Sequence, residues 1–360
     1  ELSYQKLVIK IGSNVLTRGD GLPDQERLVK LSNEIAQLKK QGRQVVLVSS
    51  GAVAAGKSLI KPGSKIDVVS ARQLLASVGQ VKLLNNYSEA FKTHGLVCSQ
   101  VLVTKDDFRD KMHYRNMLNC FDVLLQHDII PIVNENDVIS ITELMFTDND
   151  ELAGLIASMI RADALFILSN VAGLFDGDPS AEQSKLIEEV DAGADLSAFI
   201  TAKKSNFGRG GMLTKCNMAG KISQMGISVH IANGTTDGIV AGIMNGKVRH
   251  TRFLPRKAIS GTKGWIAHTD KYTKGVVRIN AGAKTALMGQ RASSLLPIGI
   301  MEIEGAFEKD DVIKIIDDQG NLVGLGIARY GSGKAGELIG RKNQRPLVHY
   351  DYLYLSQESH

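Results

Sequence analysis

Up to about residue 250, the chain alternates short apolar runs with longer amphipathic stretches. The runs are rich in β-branched residues and continuously apolar, which is typical of parallel strands buried on both faces of a sheet. They span 6–11, 44–50, 95–103, 129–135, 164–170 and 227–232. Segments with helical spacing lie between them, at 24–41, 68–93, 109–127, 150–161 and 215–225. Strands that alternate with helices predict a three-layer αβα sandwich with a mostly parallel central sheet.

The pattern changes after residue 250. Residues 251–273 are basic and show no period, which indicates a linker. Beyond them, short strand-like runs such as VVRI, DVIKII and LVGLGIA are separated by Gly, Asn and Asp turns, with little helical spacing. We therefore expect an α/β domain at 1–250, a basic linker at 251–273 and a small, mostly-β domain at 274–360.

The distribution of charge gives little support for a nucleic-acid-binding protein. The net charge is +5, but residues 1–250 carry 27 Lys and Arg against 27 Asp and Glu, and residues 274–360 carry 11 against 10. The excess therefore lies in the linker, which carries five basic residues against one acidic residue. A nucleic-acid-binding domain more often concentrates Lys and Arg on a folded face.

Composition favours a cytoplasmic protein. No stretch approaches the roughly 20 apolar residues of a membrane-spanning helix, and the first residues, ELSYQKLVIKIG, indicate a strand rather than a signal peptide. The three cysteines, Cys98, Cys120 and Cys216, are odd in number and lack the spacing of metal ligands. We therefore expect a reduced setting without structural disulfides.

Polar residues at the ends of predicted strands are candidates for chemistry, because ligands of parallel sheets bind at the carboxyl ends of the strands. The first strand ends at Lys10, and Gly12 after it would let a ligand oxygen approach backbone N–H groups. The alternative is a lysine that points into solvent. The second strand runs into Ser50 and the small residues GAVAAG. Either a bound ligand or close packing of a helix on the sheet would explain them.

Two acidic clusters follow, NEND at 134–137 after the fourth strand and TDNDE at 147–151 at the start of a predicted helix. Such carboxylates and amides suit an amino group, a magnesium ion or the orientation of lysines. Asp148 would also serve as the helix N-cap, and the two roles are compatible.

Two loops have the character of a nucleotide site. The fifth strand ends at Ser169 and Asn170, and the following apolar turn, VAGLF, could line a purine ring. Further on, GRGGMLTK at 208–215 precedes a helix. It is not a Walker P-loop, because Cys216 follows Lys215 where Ser or Thr is needed. It still offers glycine N–H groups, a helix N-terminus and a lysine for phosphates. A plain surface loop is the alternative.

Taken in order, these motifs resemble the amino-acid kinase family. KIGSNVL, VLVSSGAVAAG, IVNENDV, TDNDELA, LSNVAGLFDGDP and GRGGMLTK follow one another as in that family, and NENDV with TDND resembles its glutamate-phosphorylating branch. The end of the chain, with KGVVRINAGAKTAL and SSLLPIGIMEIEGAFEKDDVIKI, resembles a PUA domain. The resemblance covers nearly the whole chain. It implies ATP-dependent phosphorylation of the glutamate γ-carboxylate to γ-glutamyl phosphate, the first step of proline biosynthesis.

The resemblance also implies individual roles. Lys10 and Lys215 would contact the transferred phosphoryl group, and Asp150 would hold the two lysines. The residues implied for glutamate are Ser50, Asn134, Asp137, Asp148 and Asn149. Those implied for ATP are Lys10, Gly12, Ser169, Asn170, Arg209, Gly210, Gly211, Met212, Leu213, Thr214 and Lys215. Two positions depart from the family pattern, since Ser169 and Asn170 replace a common Thr-Asp and Arg209 replaces a common Thr.

The implied reaction needs no base from the protein, because a carboxylate with a pKa of about 4.3 is already ionised at pH 7. The obstacle is repulsion between anions, which two lysines, glycine N–H groups and Mg²⁺ would offset. We assign ATP and Mg²⁺ as cofactors, and no protein nucleophile, catalytic histidine or metal ligand. The resemblance further implies feedback inhibition by proline, a homo-oligomer and transfer of the product to glutamate-5-semialdehyde dehydrogenase.

Two alternatives stay open. A sibling kinase that acts on acetylglutamate, aspartate or UMP would share the lysines. PUA domains of RNA-modifying enzymes bind RNA, but the near balance of charge in 274–360 disfavours contact with phosphates. A regulatory or assembly role of this domain fits better.

Overall fold

The computed structural model describes residues 2–140, 148–177, 183–194, 211–256, 273–289 and 293–356. The chain divides into two compact units, Glu1–Ala258 and Ile259–His360. In the described part of the chain, no helix combines the length and apolarity that crossing a membrane requires.

The first unit is built around an eight-stranded sheet. Its strands are β1 (Lys6–Ile11), β2 (Gln44–Ser49), β3 (Cys98–Val103), β4 (Ile130–Glu135), β5 (Ala164–Ser169), β6 (Glu189–Val190), β7 (Ser228–Asn233) and β8 (Thr251–Phe253). Their order is β3-β4-β2-β1-β5-β7-β8-β6. All neighbouring strands are parallel except β7 and β8, which are antiparallel. The predicted mostly parallel sheet is confirmed.

Helices cover both faces of this sheet. They are α1 (Gln25–Lys40), α2 (Ala52–Lys57), α3 (Val68–Lys92), α4 (Lys105–Arg109), α5 (Lys111–Gln126), α6 (Asn149–Ile160), α7 (Gly211–Gln224) and α8 (Ile239–Met244). Successive strand residues enter different cores: Leu7 and Ile9 pack with α1 and α3, whereas Val8 packs with α5, α6 and α7. Burial on both faces explains the continuous apolarity of the strands.

Carboxylate caps fix the starts of the main helices. Asp24 accepts a hydrogen bond from Arg27 N at the start of α1, and Asp67 accepts from the first turn of α3. Asp110 explains a difference from the sequence prediction of one helix at 109–127. Its backbone is extended and its carboxylate accepts from Met112 N and His113 N, so it ends α4 and caps α5.

The sequence analysis did not predict α8, β6 or β8. These elements have six, two and three residues, too short to show a period. Residues 251–253, assigned to the linker by sequence, form β8 and belong to the first sheet. Residues 257–272 of the predicted linker lie outside the described residues.

The second unit contains a five-stranded sheet, and its mostly-β character is confirmed. Its strands are β9 (Gly275–Ile279), β10 (Ile300–Glu304), β11 (Val312–Ile316), β12 (Leu322–Ile327) and β13 (Leu353–Leu355), in the order β10-β9-β11-β12-β13. Only β9 and β11 are parallel. Two short helices missed by sequence, α9 (Ala281–Met288) and α10 (Ser332–Leu338), accompany it. Asn280 caps α9 by accepting from Ala283 N.

Two glycines allow α2 to lie directly against α3. A Cβ atom on Gly79 would lie 1.7 Å from the carbonyl oxygen of Ala52, and one on Gly56 would lie 2.0 Å from that of Leu75. No side chain fits at either position without moving backbone. The close contact brings the start of α2, directly after β2, next to the middle of α3.

Gly79→Ala is therefore expected to lower the free energy of unfolding by at least about 2 kcal/mol, because overpacking a filled core typically costs ~1–3 kcal/mol and the obstacle here is backbone. Urea unfolding followed by circular dichroism measures the change. The matched control is Gly220→Ala in α7, where a Cβ meets nothing within 4 Å. The control should unfold at the same or a higher urea concentration than the unsubstituted chain. Equal midpoints for Gly79→Ala and the control would contradict the packing argument.

Candidate active site

Three charged side chains meet where β1 ends and α6 begins. The Nζ atom of Lys10 lies 2.6 Å from Oδ1 of Asp150, and the Nζ atom of Lys215 lies 2.6 Å from Oδ2. One carboxylate thus bridges two ammonium groups that come from β1 and from the first turns of α7. The structure brings together the three residues that the resemblance assigns to phosphoryl transfer.

This bridge is shielded from water. Asp150 is 0% exposed and Lys10 is 5% exposed. Burial raises the pKa of Asp150, but the two ammonium groups outweigh it and hold that pKa below its ordinary value. The carboxylate is therefore ionised at neutral pH. The bridge carries two positive charges and one negative charge, which suits the binding of a further anion.

Gly12 has a different role from the one expected. Its N–H donates to the carbonyl oxygen of Leu168 at 3.0 Å and is therefore already occupied. A Cβ atom at Gly12 would lie 3.6 Å from Nζ of Lys10 and 3.2 Å from the Leu168 oxygen. The glycine leaves space beside the lysine rather than offering its own N–H.

A cavity of about 310 Å³ opens at the ends of β2 and β4 and the start of α6. All five residues implied for glutamate line it, namely Ser50, Asn134, Asp137, Asp148 and Asn149. The backbone of residues 51–54 forms another part of the wall. Gly51, whose φ is 110°, is the N-cap of α2, and in the described part of the chain no side chain caps the first N–H groups of that helix. These donors favour an anionic group in the cavity.

Asp148 is the expected helix N-cap, and its role in binding glutamate stays a prediction. It lines the cavity and also caps α6, accepting from the N–H groups of Asp150 and Glu151 at 3.0 Å each. Its pKa is raised, first by burial and then by the negative charge of Asp150. The cap fixes the start of the helix that presents Asn149 and Asp150.

The structure adds cavity residues that the sequence analysis did not assign, namely Ser13, Arg72 and Glu135. Arg72, in α3, donates to Oδ1 of Asp137 from Nε at 3.1 Å and from Nη2 at 2.8 Å. Glu135 lies 4.0 Å from the same guanidinium. Glu135 was visible as part of a polar strand end. Arg72 belongs to an ordinary helical pattern, and only the packing of α3 over β4 identifies it.

The nucleotide residues are described in part. Ser169 is the last residue of β5, the neighbour of β1, and Asn170 follows it; the hydroxyl of Ser169 donates to Oδ1 of Asn170 at 3.3 Å. Met212 and Thr214 lie half-buried in the first turn of α7. Arg209 and Gly210 lie outside the described residues, and for Gly211 and Leu213 only the backbone is described. All the ATP contacts therefore stay predictions.

Cys216, next to Lys215, is buried, and burial raises the pKa of its thiol to about 12. It is therefore protonated at neutral pH. Among the residues that the structure describes, no three carboxylate, imidazole or thiolate groups come together as a metal site.

Each of the two units matches a known protein family. The amino acid kinase family model matches residues 5–233, and the PUA domain model matches residues 275–349. Glutamate 5-kinase of Bacteroides thetaiotaomicron is 50% identical over 355 residues, covering 98% of this chain and 99% of the relative. Glutamate 5-kinase of Chlorobaculum tepidum is 50% identical over 354 residues, covering 98% of each. The structure of carbamate kinase from Giardia lamblia bound to AMP-PNP covers 70% of this chain and 99% of its own, with 20% identity and a TM-score of 0.51, which supports the fold alone.

Asp150→Asn is expected to lower the free energy of unfolding at pH 7 by about 3 kcal/mol or more, because it leaves two buried ammonium groups without a carboxylate. Denaturant unfolding measures the difference. Asp237→Asn is the matched control, since Asp237 also pairs with two cations, Arg27 at 2.7 Å and Lys30 at 3.0 Å, but is 62% exposed. The control should unfold close to the unsubstituted chain.

The pH dependence gives a second check on the same variant. Because the pKa of Asp150 is depressed on folding, its contribution is complete above the ordinary aspartate pKa of 3.8 and is lost as the pH falls through the lower folded value. The stability gap between Asp150→Asn and the unsubstituted chain should therefore narrow only below about that pH. Equal stability of the two aspartate variants at pH 7 would contradict the role given to the bridge.

Proposed function

The chain belongs to the amino acid kinase family, and we propose that it transfers the γ-phosphoryl group of ATP to the γ-carboxylate of glutamate. The products are γ-glutamyl phosphate and ADP, and the reaction is the first step of proline biosynthesis. The observation that carries this proposal is the buried bridge of Lys10, Asp150 and Lys215, next to a polar cavity of about 310 Å³. The full-length match to two glutamate 5-kinases identifies the acceptor.

Charge repulsion between two anions is the main barrier to this reaction. Lys10 and Lys215 reduce this repulsion by placing two ammonium groups where the transferring phosphoryl group accumulates negative charge. Asp150 holds both lysines at 2.6 Å and so acts as a positioning residue. The acceptor carboxylate is ionised at neutral pH, and no residue has to remove a proton from it.

The cavity wall has the chemistry that an acidic amino acid requires. Arg72 and the N–H groups at the start of α2 suit a carboxylate, whereas Asp137, Asp148 and the amide of Asn149 suit an ammonium group. The volume of about 310 Å³ lies at the lower end of the roughly 300–1,000 Å³ of small-molecule sites. The wall therefore favours glutamate over a nucleotide acceptor such as UMP.

ATP is the phosphoryl donor that family membership supports. We propose that it lies along Gly12, Ser169, Asn170 and residues 209–215, with its terminal phosphate at the bridge. Magnesium would enter with ATP, because Mg²⁺ in kinases is held by substrate phosphates and only one or two carboxylates. It would neutralise charge on the phosphates, and the lysines would hold the oxygens of the transferred group.

The product and the pathway suggest further partners. γ-Glutamyl phosphate is an acyl phosphate and hydrolyses readily in water, which supports direct use by a dehydrogenase such as glutamate-5-semialdehyde dehydrogenase. Proline carries the same α-carboxylate and ammonium pattern as glutamate, which supports inhibition at or overlapping the cavity. The substrates are cytoplasmic metabolites, which supports a cytoplasmic location.

Self-association is supported by one edge of the first sheet. β3 is the terminal strand there, so one of its backbone edges has no partner among the described strands. Large apolar side chains near this edge are exposed, with Val97 at 62% and Leu102 at 39%. Unpaired strand edges with apolar side chains favour pairing with another chain. We therefore propose a homo-oligomer that covers β3.

The acceptor is tested by measuring ADP release with glutamate, acetylglutamate, aspartate and UMP, with hydroxylamine present to trap acyl phosphates as hydroxamates. We expect hydroxamate with glutamate at the highest rate, and millimolar proline should slow this reaction most at low glutamate. Faster ADP release with UMP, without hydroxamate, would contradict glutamate as acceptor. A rate unaffected by proline would reject only the inhibitor.

In the same assay, Lys10→Ala should lose at least ~10²-fold in kcat, a loss typical of removing one preorganised charge-stabilising donor. Lys6→Ala is the matched control. Lys6 begins the same strand, at its other end, and its Nζ donates to Ile160 O at 3.0 Å. The control should keep kcat within a few-fold. Near-normal turnover of Lys10→Ala would reject the proposed mechanism.

The oligomer is tested by light scattering on the full chain. The unsubstituted chain should have a mass of at least twice the 39.0 kDa of one chain. Leu102→Lys should lower this mass, because a lysine on an edge strand opposes pairing. A monomeric unsubstituted chain would reject the oligomer, and an unchanged mass in the variant would place the interface elsewhere.

A further inference from the structure

A chain of hydrogen bonds leads from the cavity wall to Gln80 on α3. Asn149 Nδ2 donates to Ser50 Oγ at 2.8 Å and to Asn134 Oδ1 at 3.1 Å, and Asn134 Nδ2 donates to Gln80 Oε1 at 3.1 Å. Gln80 is 8% exposed and does not line the cavity. We propose that Gln80 is a positioning residue that acts together with the N–H of Glu135: the two hold the Asn134 amide, which directs the amide of Asn149, and so determine which substrate groups the cavity accepts. This inference rests on the proposed function.

A backbone N–H group fixes the donor and acceptor directions of these hydrogen bonds at Asn134. The N–H of Glu135 donates to Asn134 Oδ1 at 2.9 Å, and a backbone N–H cannot accept a hydrogen bond. Oδ1 of Asn134 must therefore stay on this side, and its Nδ2 must face Gln80. Gln80 consequently presents Oε1 to Asn134, because its own NH₂ group in that place would set N–H donors against the N–H donors of Asn134.

The orientation of Asn149 follows from that of Asn134. Since Asn134 presents Oδ1, Asn149 must present Nδ2, and its two N–H groups are used on Asn134 and Ser50. Asn149 Oδ1 accepts no hydrogen bond from the residues that the structure describes and is left for a ligand. Ser50 accepts from Asn149 through Oγ, so its own O–H is left to donate.

The oxygen of Asn149 and the hydroxyl of Ser50 match the two charged groups of an amino acid. Asn149 offers an acceptor for the substrate ammonium, and Ser50 offers a donor for a carboxylate. If the amide of Asn149 turned over, it would present an NH₂ group to the ammonium, lose its bond to Asn134 and take up the Ser50 O–H as a donor. Gln80 opposes this by holding Asn134, although it touches no substrate itself.

Gln80 is an unfavourable residue for stability alone. Its Nε2 is buried and has no hydrogen-bond partner in the described part of the chain. A buried donor without a partner costs stability, and methionine of similar size would avoid that cost. The acceptor that Gln80 supplies to Asn134 therefore accounts for a glutamine at this position.

Two substitutions separate positioning from packing. Gln80→Met fills the same space without an acceptor, whereas Gln80→Glu keeps an oxygen for Asn134 but buries a carboxylic acid. We expect Gln80→Met to unfold at nearly the same urea concentration as the unsubstituted chain, yet to raise the KM for glutamate about 5- to 10-fold, the range for one lost hydrogen bond. The KM for ATP and kcat should change by less than about threefold. Gln80→Glu should show the reverse, a lower stability with a KM for glutamate near that of the unsubstituted chain.

The measurements are hydroxamate kinetics at saturating and limiting glutamate, together with urea unfolding, on the full chain. Gln37→Met, at an exposed position of α1, controls for an added methionine. A KM for glutamate that follows stability in both Gln80 variants, or a normal KM in Gln80→Met, would overturn the positioning role. An unsubstituted chain that forms no hydroxamate from glutamate would overturn the proposed function as well, so the two failures are distinguishable.

Discussion

The structure of the first unit depends on one buried carboxylate that holds two lysines. Asp150 is fully buried in the first turn of α6, and an ionised group there is tolerated only because Lys10 and Lys215 pair with it. The lysines come from the first strand and from a helix near the end of the unit, so the site exists only when the sheet is complete. In the proposed mechanism, the same contact that stabilises the fold also places the charges that phosphoryl transfer needs.

The start of α6 connects this bridge to the substrate cavity. Asp148 caps the helix, Asn149 forms part of the cavity wall and Asp150 forms the bridge, so three consecutive residues have three different tasks. The cap fixes the first turn, and the first turn directs the next two side chains. On the other side of the cavity, Gly79 permits the contact of α2 with α3, and its neighbour Gln80 reaches Asn134. The cavity is thus held by backbone packing as much as by its polar lining.

The sequence predicted the fold from local signals, whereas the bridge of Lys10, Asp150 and Lys215 was implied by the resemblance to the amino-acid kinase family. Doubly buried strands are continuously apolar, and strand ends such as Lys10 stand out as polar against them. Arg72 and Gln80 could not be found in this way, because they lie inside a helical pattern and owe their place to the packing of α3 over β4. For Gly12, the sequence indicated its position at the site but not what its N–H binds. That N–H donates to the carbonyl oxygen of Leu168, a contact that arises from the pairing of β1 with β5.

Asp150 orients the lysines without competing strongly for the donors that the substrate needs. Each ammonium group carries three N–H donors, and the contact with Asp150 occupies one at most. Among the described residues, two donors on each lysine are left for another anion, which is the phosphoryl group in the proposed mechanism, and Gly12 leaves room beside Lys10. Because its pKa is depressed, the carboxylate keeps its charge at neutral pH and the two lysines stay in place before ATP binds. The ordering of the catalytic cations is therefore completed during folding, and substrate binding does not have to supply it.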